Sequence, residues 1–234
     1  SFAMLEGLAS WELPNVLGLP ILAHHSLSIR NSEPQIFSDP NGRTMRTPNI
    51  EFFDRGTAAA EAAAMGIVRR TNLKLHPSAS FLSGPFYLQN LTINDDFEVV
   101  GHEDPLSPSV LENAGIYVEI DATRGSRSIQ DKEFLFHTGA DLTVVSELTA
   151  ARLGFDVEFD QPDFVVEVEG GGGVESGVPG FYLDELNIDT VGGSFTLQNV
   201  PIAVFDVPDP HEPANTIDGI LGMHVFTGRD LIVD

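Results

Sequence analysis

In the segment Phe134-Leu-Phe-His-Thr-Gly-Ala-Asp-Leu-Thr-Val-Val145 an apolar strand runs into a small, tight turn, and a second apolar stretch then begins. The turn places His137, Thr138 and Gly139 at the end of the strand, where an imidazole can hold a water. Taken alone, the tripeptide reads as a structural turn after a buried strand. The run Gly170–Gly173 is a second candidate. It lacks the Lys-Ser/Thr and following helix that a phosphate-binding loop requires, so it reads as the tip of a mobile hairpin. His24 and His25 are adjacent, and neighbours on a strand point to opposite faces, which keeps them from sharing one metal ion. His224 needs a place near His137 before a two-histidine site has weight. Asp95-Asp96 and Glu103-Asp104 lack the alternating ligand spacing of a calcium loop and read as solvated acidic turns.

The elements that must position these residues are mostly strands. Apolar or alternating stretches occur at Ile116–Ile120, Glu133–Phe136, Phe164–Val168, Phe181–Ile188, Ser194–Val200 and Ile202–Phe205. Gly, Pro, Asn and Asp separate them at the short intervals of an all-β fold. Two helices are expected. Thr57–Met65 contains Ala58–Ala63, where five of six residues are alanine, the best helix former. Ser146–Leu153 has apolar residues at helical spacing and Gly154 as its stop. Ile36–Asn49 and Gly101–Ser109 read as loops or linkers. An internal repeat is also present: Val16–Arg30 aligns without gaps on Ile220–Asp234 at an offset of 204 residues, with three identities and five apolar exchanges. The chain is therefore expected to carry the ends of two similar lobes.

Composition narrows the classes of function. The chain has 234 residues, 12 Lys and Arg against 35 Asp and Glu, a formal charge of −23 and no cysteine. Such acidity repels nucleic-acid phosphates. The missing cysteine excludes disulfides, thiol catalysis and zinc–thiolate sites. No apolar run reaches the ~18–20 residues that span a bilayer, and residues 1–20 lack the basic start of a signal peptide. A soluble chain is expected, and the charge suits a secreted, cell-surface or periplasmic setting.

The turn resembles the catalytic turn of aspartic peptidases, especially the retropepsin-like family, whose pattern is apolar-apolar-Asp-Thr-Gly-Ala-x-x-Thr-apolar-apolar. Ser146–Gly154 looks like the short helix that follows this turn, Val168–Gly177 like the flap hairpin, and Asp218-Gly-Ile-Leu-Gly-Met223 like the closing apolar-apolar-Gly motif. The resemblance covers about residues 116–234 and departs from the pattern at position 137, which is His where the family has Asp. It implies aspartic-peptidase-like β-barrel lobes with one or two short helices. Residues 1–50 would be the end of a first lobe, 51–85 a connection, and 86–234 a second lobe.

The resemblance further implies hydrolysis of a polypeptide by a water activated between two carboxylates, without metal or cofactor. His137, Thr138 and Gly139 would stand in the catalytic turn. Ala140, Asp141, Gly170, Gly171, Gly172, Gly173 and Val174 would face the substrate. No Asp-Thr-Gly or Asp-Ser-Gly occurs in residues 1–136. The other carboxylate is thus expected from an upstream first-lobe segment, either separate or removed. The alternative is a non-catalytic lobe that binds extended polypeptide. An unrelated carbohydrate or surface-interaction domain has only the acidity and the lone Trp11 in its favour.

Overall fold

The strands expected from period-two patterning are present in the computed structural model, which describes residues 25–38, 44–54, 56–66, 69–77, 91–93, 99–102, 114–170, 173–208 and 215–233, with Gly42. In chain order these are β1 His25–Ser38, β2 Thr44–Asp54, helix α1 Ala58–Ala64, β3 Lys74–Pro77, β4 Leu91–Ile93 and β5 Val99–His102. Then come β6 Ala114–Arg124, β7 Arg127–Phe136, β8 Thr143–Val145, helix α2 Glu147–Arg152, β9 Phe164–Gly170, β10 Gly173–Ile188 and β11 Phe195–Val204. β12 Gly219–Leu221, a 3-10 turn over Met223–Phe226, and β13 Asp230–Val233 close the chain. Among the described residues the architecture is all-β with two short helices, both where the sequence predicts them.

The largest sheet has the order β3-β6-β7-β12-β8-β11-β10-β9, and β10 also pairs with β6. That extra pairing closes β6, β7, β12, β8, β11 and β10 into a barrel. The alternate residues that point inward are the apolar ones. Val118, Ile120, Phe134, Phe181, Leu183, Leu186, Ile202 and Leu221 are almost wholly buried in one cluster. Each such side chain contributes roughly 1.5–3 kcal/mol on leaving water, so the barrel interior is the stabilising centre of this sheet. β3 adds to its edge, Lys74–Pro77 running against Ala114–Tyr117. Lys74 there lies between Glu119 and Glu133, at 2.6 and 2.7 Å.

α2 begins at Ser146, whose side chain accepts from the Thr149 N–H at 3.1 Å. This is the N-cap that satisfies an orphan donor of the first turn. It ends at Gly154, whose φ of +84° admits glycine far more easily than any other residue.

Three expectations need correction. Ile36–Asn49, read as a loop, instead supplies the end of β1 and the start of β2. Pro48 is tolerated because it lies at the irregularity between the pairs Arg30↔Asn49 and Gln35↔Thr47, where no ladder N–H is required. Ser194–Val200 and Ile202–Phe205 are one strand, β11, with Pro201 opposite Tyr182 of β10. Pairing to β8 starts only at Ile202, so the missing N–H of Pro201 costs no bond there. In Gly101–Ser109, β5 extends to His102 and the rest lies outside the described residues.

β1 belongs to a separate three-stranded sheet of order β13-β1-β2. The two ends of the repeat are thus neighbours in space.

Candidate active site

β7 delivers its last residue, Phe136, to the mouth of the barrel beside β12, with the parallel register Phe134↔Gly219, Leu135↔Ile220 and Phe136↔Leu221. Glycine is required at 219, since a Cβ would lie 2.6 Å from both the Phe134 ring and the Val144 carbonyl. The chain then turns. The His137 N–H donates to the Leu221 carbonyl at 3.3 Å, and the Ala140 N–H donates back to the His137 carbonyl at 3.1 Å. His137, Thr138 and Gly139 are exposed, as is Asp141, while Ala140 is half-buried. The imidazole folds over its own turn: a Cβ on Gly139 would stand 2.9 Å from His137 Cε1.

Behind this open face lies a dense set of bonds. The Met223 and His224 N–H groups donate to the Ala140 and Asp141 carbonyls at 2.7 and 3.1 Å. The Gly222 N–H donates to Thr143 Oγ1 at 3.1 Å, and the Thr143 N–H donates to His224 Nδ1 at 3.2 Å. Thr143 is wholly buried. A Cβ at Gly222 would come 2.4 Å from the Leu142 carbonyl carbon, so two backbones touch here directly. The closing segment therefore fastens residues 140, 141 and 143 from one side and leaves 137–139 facing solvent.

His224 holds the sequence-predicted place beside the closing motif, but its Nδ1 is taken up by Thr143. Its Nε2 is enclosed without a hydrogen-bond partner. Burial pushes the imidazole below its ordinary pKa, and the Asp141 and Pro201 carbonyls that face it offset this only in part. Among the described residues no group of three or more His, Cys, Asp or Glu is placed to hold a metal ion.

The β9–β10 hairpin is present where the flap is expected. Gly170 pairs with Gly173 and Glu169 with Val174; Gly171 and Gly172 lie outside the described residues. Val166, Val168 and Val178 pack with Leu142, Val144, Ala203 and Ile220, which ties the hairpin base to the strand leaving the turn. A cavity of about 290 Å³ opens beside that base, lined by Glu147, Glu175, Val178, Pro179, Phe205 and Asp206 among others. His24, Asp95, Asp96, Glu103, Asp104 and Trp11 lie outside the described residues.

Sequence reasoning missed the bracing by His224 and the role of Asp218. The Asp218 carbonyl accepts from the Ser146 N–H. Its carboxylate receives Lys132 Nζ at 3.1 Å, Thr149 Oγ1 at 3.4 Å and Arg152 at 3.7 Å. The one sequence signal for it is its place at the head of the Gly-Ile-Leu-Gly motif.

Comparison with known proteins gives three findings. No curated protein matches the chain. A retropepsin-like aspartic protease from Rickettsia conorii is similar at 15% identity, over 70% of this chain and 92% of that one, with a TM-score of 0.31. The family model described as aspartyl protease matches residues 120–225, the stretch from the barrel strand β6 to the 3-10 turn. That match, with the exposed turn and the Asp218–Met223 segment both inside it, supports the aspartic peptidase family for residues 120–225.

Proposed function

We propose that the lobe is half of an aspartic-type endopeptidase, in which His137 stands where one of the two catalytic carboxylates would be. The reaction is peptide-bond hydrolysis by water. Two carboxylates ~3 Å apart cannot both ionise, so they share one proton; one activates the water and the other protonates the leaving amine. The observation that carries this reading is the turn itself, with 137–139 exposed at the end of β7 and 140–143 fastened behind it. Thr138 and Gly139 complete the turn, and Ala140 and Asp141 border the substrate. The hairpin Gly170–Val174 lies over an extended polypeptide whose backbone adds as a strand. The second carboxylate comes from an upstream first lobe. The acidity of the chain suits work outside the cytoplasm, where a low pH neutralises part of that charge.

His137 supports a second reading, a lobe that binds polypeptide without cutting it. An imidazole beside one carboxylate forms an ion pair instead of a proton-sharing dyad. The test is cleavage of denatured casein from pH 3 to 7, with and without a pepstatin-type inhibitor, by the unaltered chain and by His137→Asp, each with the first lobe supplied. Inhibitor-sensitive cleavage by His137→Asp alone supports the peptidase origin and an inactive natural state. Absence of cleavage by both leaves the binding reading in its place.

A further inference from the structure

Pairing between β10 and β11 starts at Gly180↔Ala203. Before that point β10 pairs with β9, through Val178↔Val166 and Pro179↔Val165, while β11 runs on beside β8 through Val204↔Val145. The two neighbours part here, and the cavity of about 290 Å³ occupies the fork between them. Val178, Pro179, Val204 and Phe205 give it apolar walls, and Glu147, Glu175 and Asp206 give it three carboxylates; no basic residue lines it. None of residues 137–143 lines it either, so the fork is separate from the exposed turn.

The carboxylates are open to a cation from outside. Asp206 is steadied by the Glu147 N–H, which donates to its Oδ1 at 2.9 Å. Among the described residues neither Glu147 nor Glu175 has an ion-pair partner. The three groups stand too far apart to close on a metal ion, since no group of three or more His, Cys, Asp or Glu among the described residues can hold one. What spans them is a larger cation. The rim is apolar: Leu148 follows Glu147, Val174 precedes Glu175, and Val165 is paired with Pro179. These three side chains are 57, 51 and 60% exposed. Aliphatic residues gathered in water around a cavity mark an interaction site, where the same residues scattered singly would not.

We infer that the fork is a docking site for an extended segment of a partner polypeptide in which one arginine is flanked by aliphatic residues. The planar guanidinium suits recognition by carboxylates, and here it lies between Glu147 and Glu175. Its aliphatic stem runs along the apolar walls while the head keeps to the acidic rim. The flanking residues cover Leu148, Val165 and Val174. A second copy of this chain is a poor occupant, because two formal charges of −23 repel. The inference does not rest on the peptidase reading: a lobe that cleaves nothing keeps the same fork.

The test uses the full chain and the blocked peptide Ser-Leu-Arg-Val-Ser, followed through amide shifts in NMR spectra. Saturable shifts at Glu147, Ser176–Val178 and Asp206 support the site. Their absence, or shifts confined to His137–Asp141, overturns it. A chain this acidic attracts any cation, so a charge-matched comparison is decisive. Glu147→Gln with Glu175→Gln is expected to weaken binding about tenfold, the worth of two partly exposed ion pairs. Glu33→Gln with Glu158→Gln removes the same charge elsewhere and is expected to change Kd by less than about twofold, because screened charges act weakly at a distance. Equal weakening by both pairs overturns the inference. Citrulline in place of the peptide's arginine keeps its shape without the charge and leaves the protein unaltered; undiminished binding of that peptide overturns the inference too. So do shifts at the same amides when the protein is concentrated without peptide, since they would assign the fork to a second copy. None of these readouts depends on cleavage of casein by His137→Asp, so the two readings stand or fall separately.

Discussion

Thr143 donates its backbone N–H to Nδ1 of His224 across 3.2 Å, and through this bond the strand leaving the exposed turn depends on the protonation state of one imidazole. Nδ1 accepts only while it carries no proton, so the ring is neutral with its hydrogen on Nε2. Protonation replaces an attraction with two facing donors.

Stability is expected to follow that proton. Burial holds His224 below its ordinary value, near 6.5 in an exposed peptide. Between the two values the unfolded chain binds more protons than the folded one, so stability rises with pH in that window. The contribution is complete above about pH 6.5 and is lost as pH falls through the folded value. His224→Asn places an amide oxygen near the position of Nδ1 and is expected to flatten the slope of denaturation midpoint against pH from about 5 to 7. His224→Leu leaves the Thr143 N–H orphaned, at a cost of about 1–3 kcal/mol. Urea melts at several pH values measure both, and an unchanged slope in His224→Asn would exclude His224 as its source.

Two glycines of the site should respond in opposite ways. At Gly222 an added methyl meets the backbone of Leu142 and Thr143 at 2.4–2.8 Å, which cannot move without dragging the turn. Gly222→Ala is expected to cost about 3 kcal/mol or more, the upper part of the overpacking range. At Gly139 the methyl meets only the His137 ring, at 2.9 Å, and that ring is exposed and free to swing away. Gly139→Ala is expected to change stability by under ~1 kcal/mol while shifting the His137 ring resonances in an NMR spectrum.

α2 is anchored from both of its sides, and the anchors differ in salt dependence. Ser146→Ala removes the cap on Thr149 and is expected to cost about 1 kcal/mol, nearly independent of salt. Asp218→Asn removes the partly exposed ion pairs to Lys132 and Arg152. It is expected to cost about 1 kcal/mol at low ionic strength and less at 1 M salt, where screening acts within ~3 Å. Melting both variants at two salt concentrations separates the terms.

The large sheet was readable in the sequence because its strands carry apolar residues at alternate positions, as in Phe164–Val168 of β9 and Phe181–Leu183 of β10, and because Ser146 and Gly154 bracket α2 with the residue types its ends demand. The turn at 137–139 was readable because its residue types and spacing are set locally. His224 was not. Its partner Thr143 is 81 residues away, and a lone histidine after Gly222 says nothing of what tertiary contact will meet Nδ1. The β1–β2 pair was misread since proline and glycine signal turns in any local reading, whereas Pro48 sits in a ladder irregularity that only the pairing reveals.

The β9–β10 hairpin contains a bulge whose loss should be felt toward its tip. Between the pairs Glu175↔Val168 and Val178↔Val166, β10 has two residues, Ser176 and Gly177, where β9 has only Glu167. Gly177 has φ +81°, with nothing within 4 Å of an added Cβ. Its constraint is thus conformational, about 1–2 kcal/mol for a residue with a side chain. Ser176 Oγ donates to Glu167 across the bulge at 3.0 Å and fixes which strand carries the extra residue. Beyond it the faces exchange, so the bulge decides which face of the hairpin Val174 and Glu175 take. Gly177→Val is therefore expected to destabilise the hairpin by about 1–2 kcal/mol and to speed exchange of the Val168 and Val174 amides. Amides of Val118 and Phe134 in the barrel should be unaffected. Equal acceleration at all four positions, measured by hydrogen exchange, would mean that the hairpin opens only with the whole lobe and does not move as a lid.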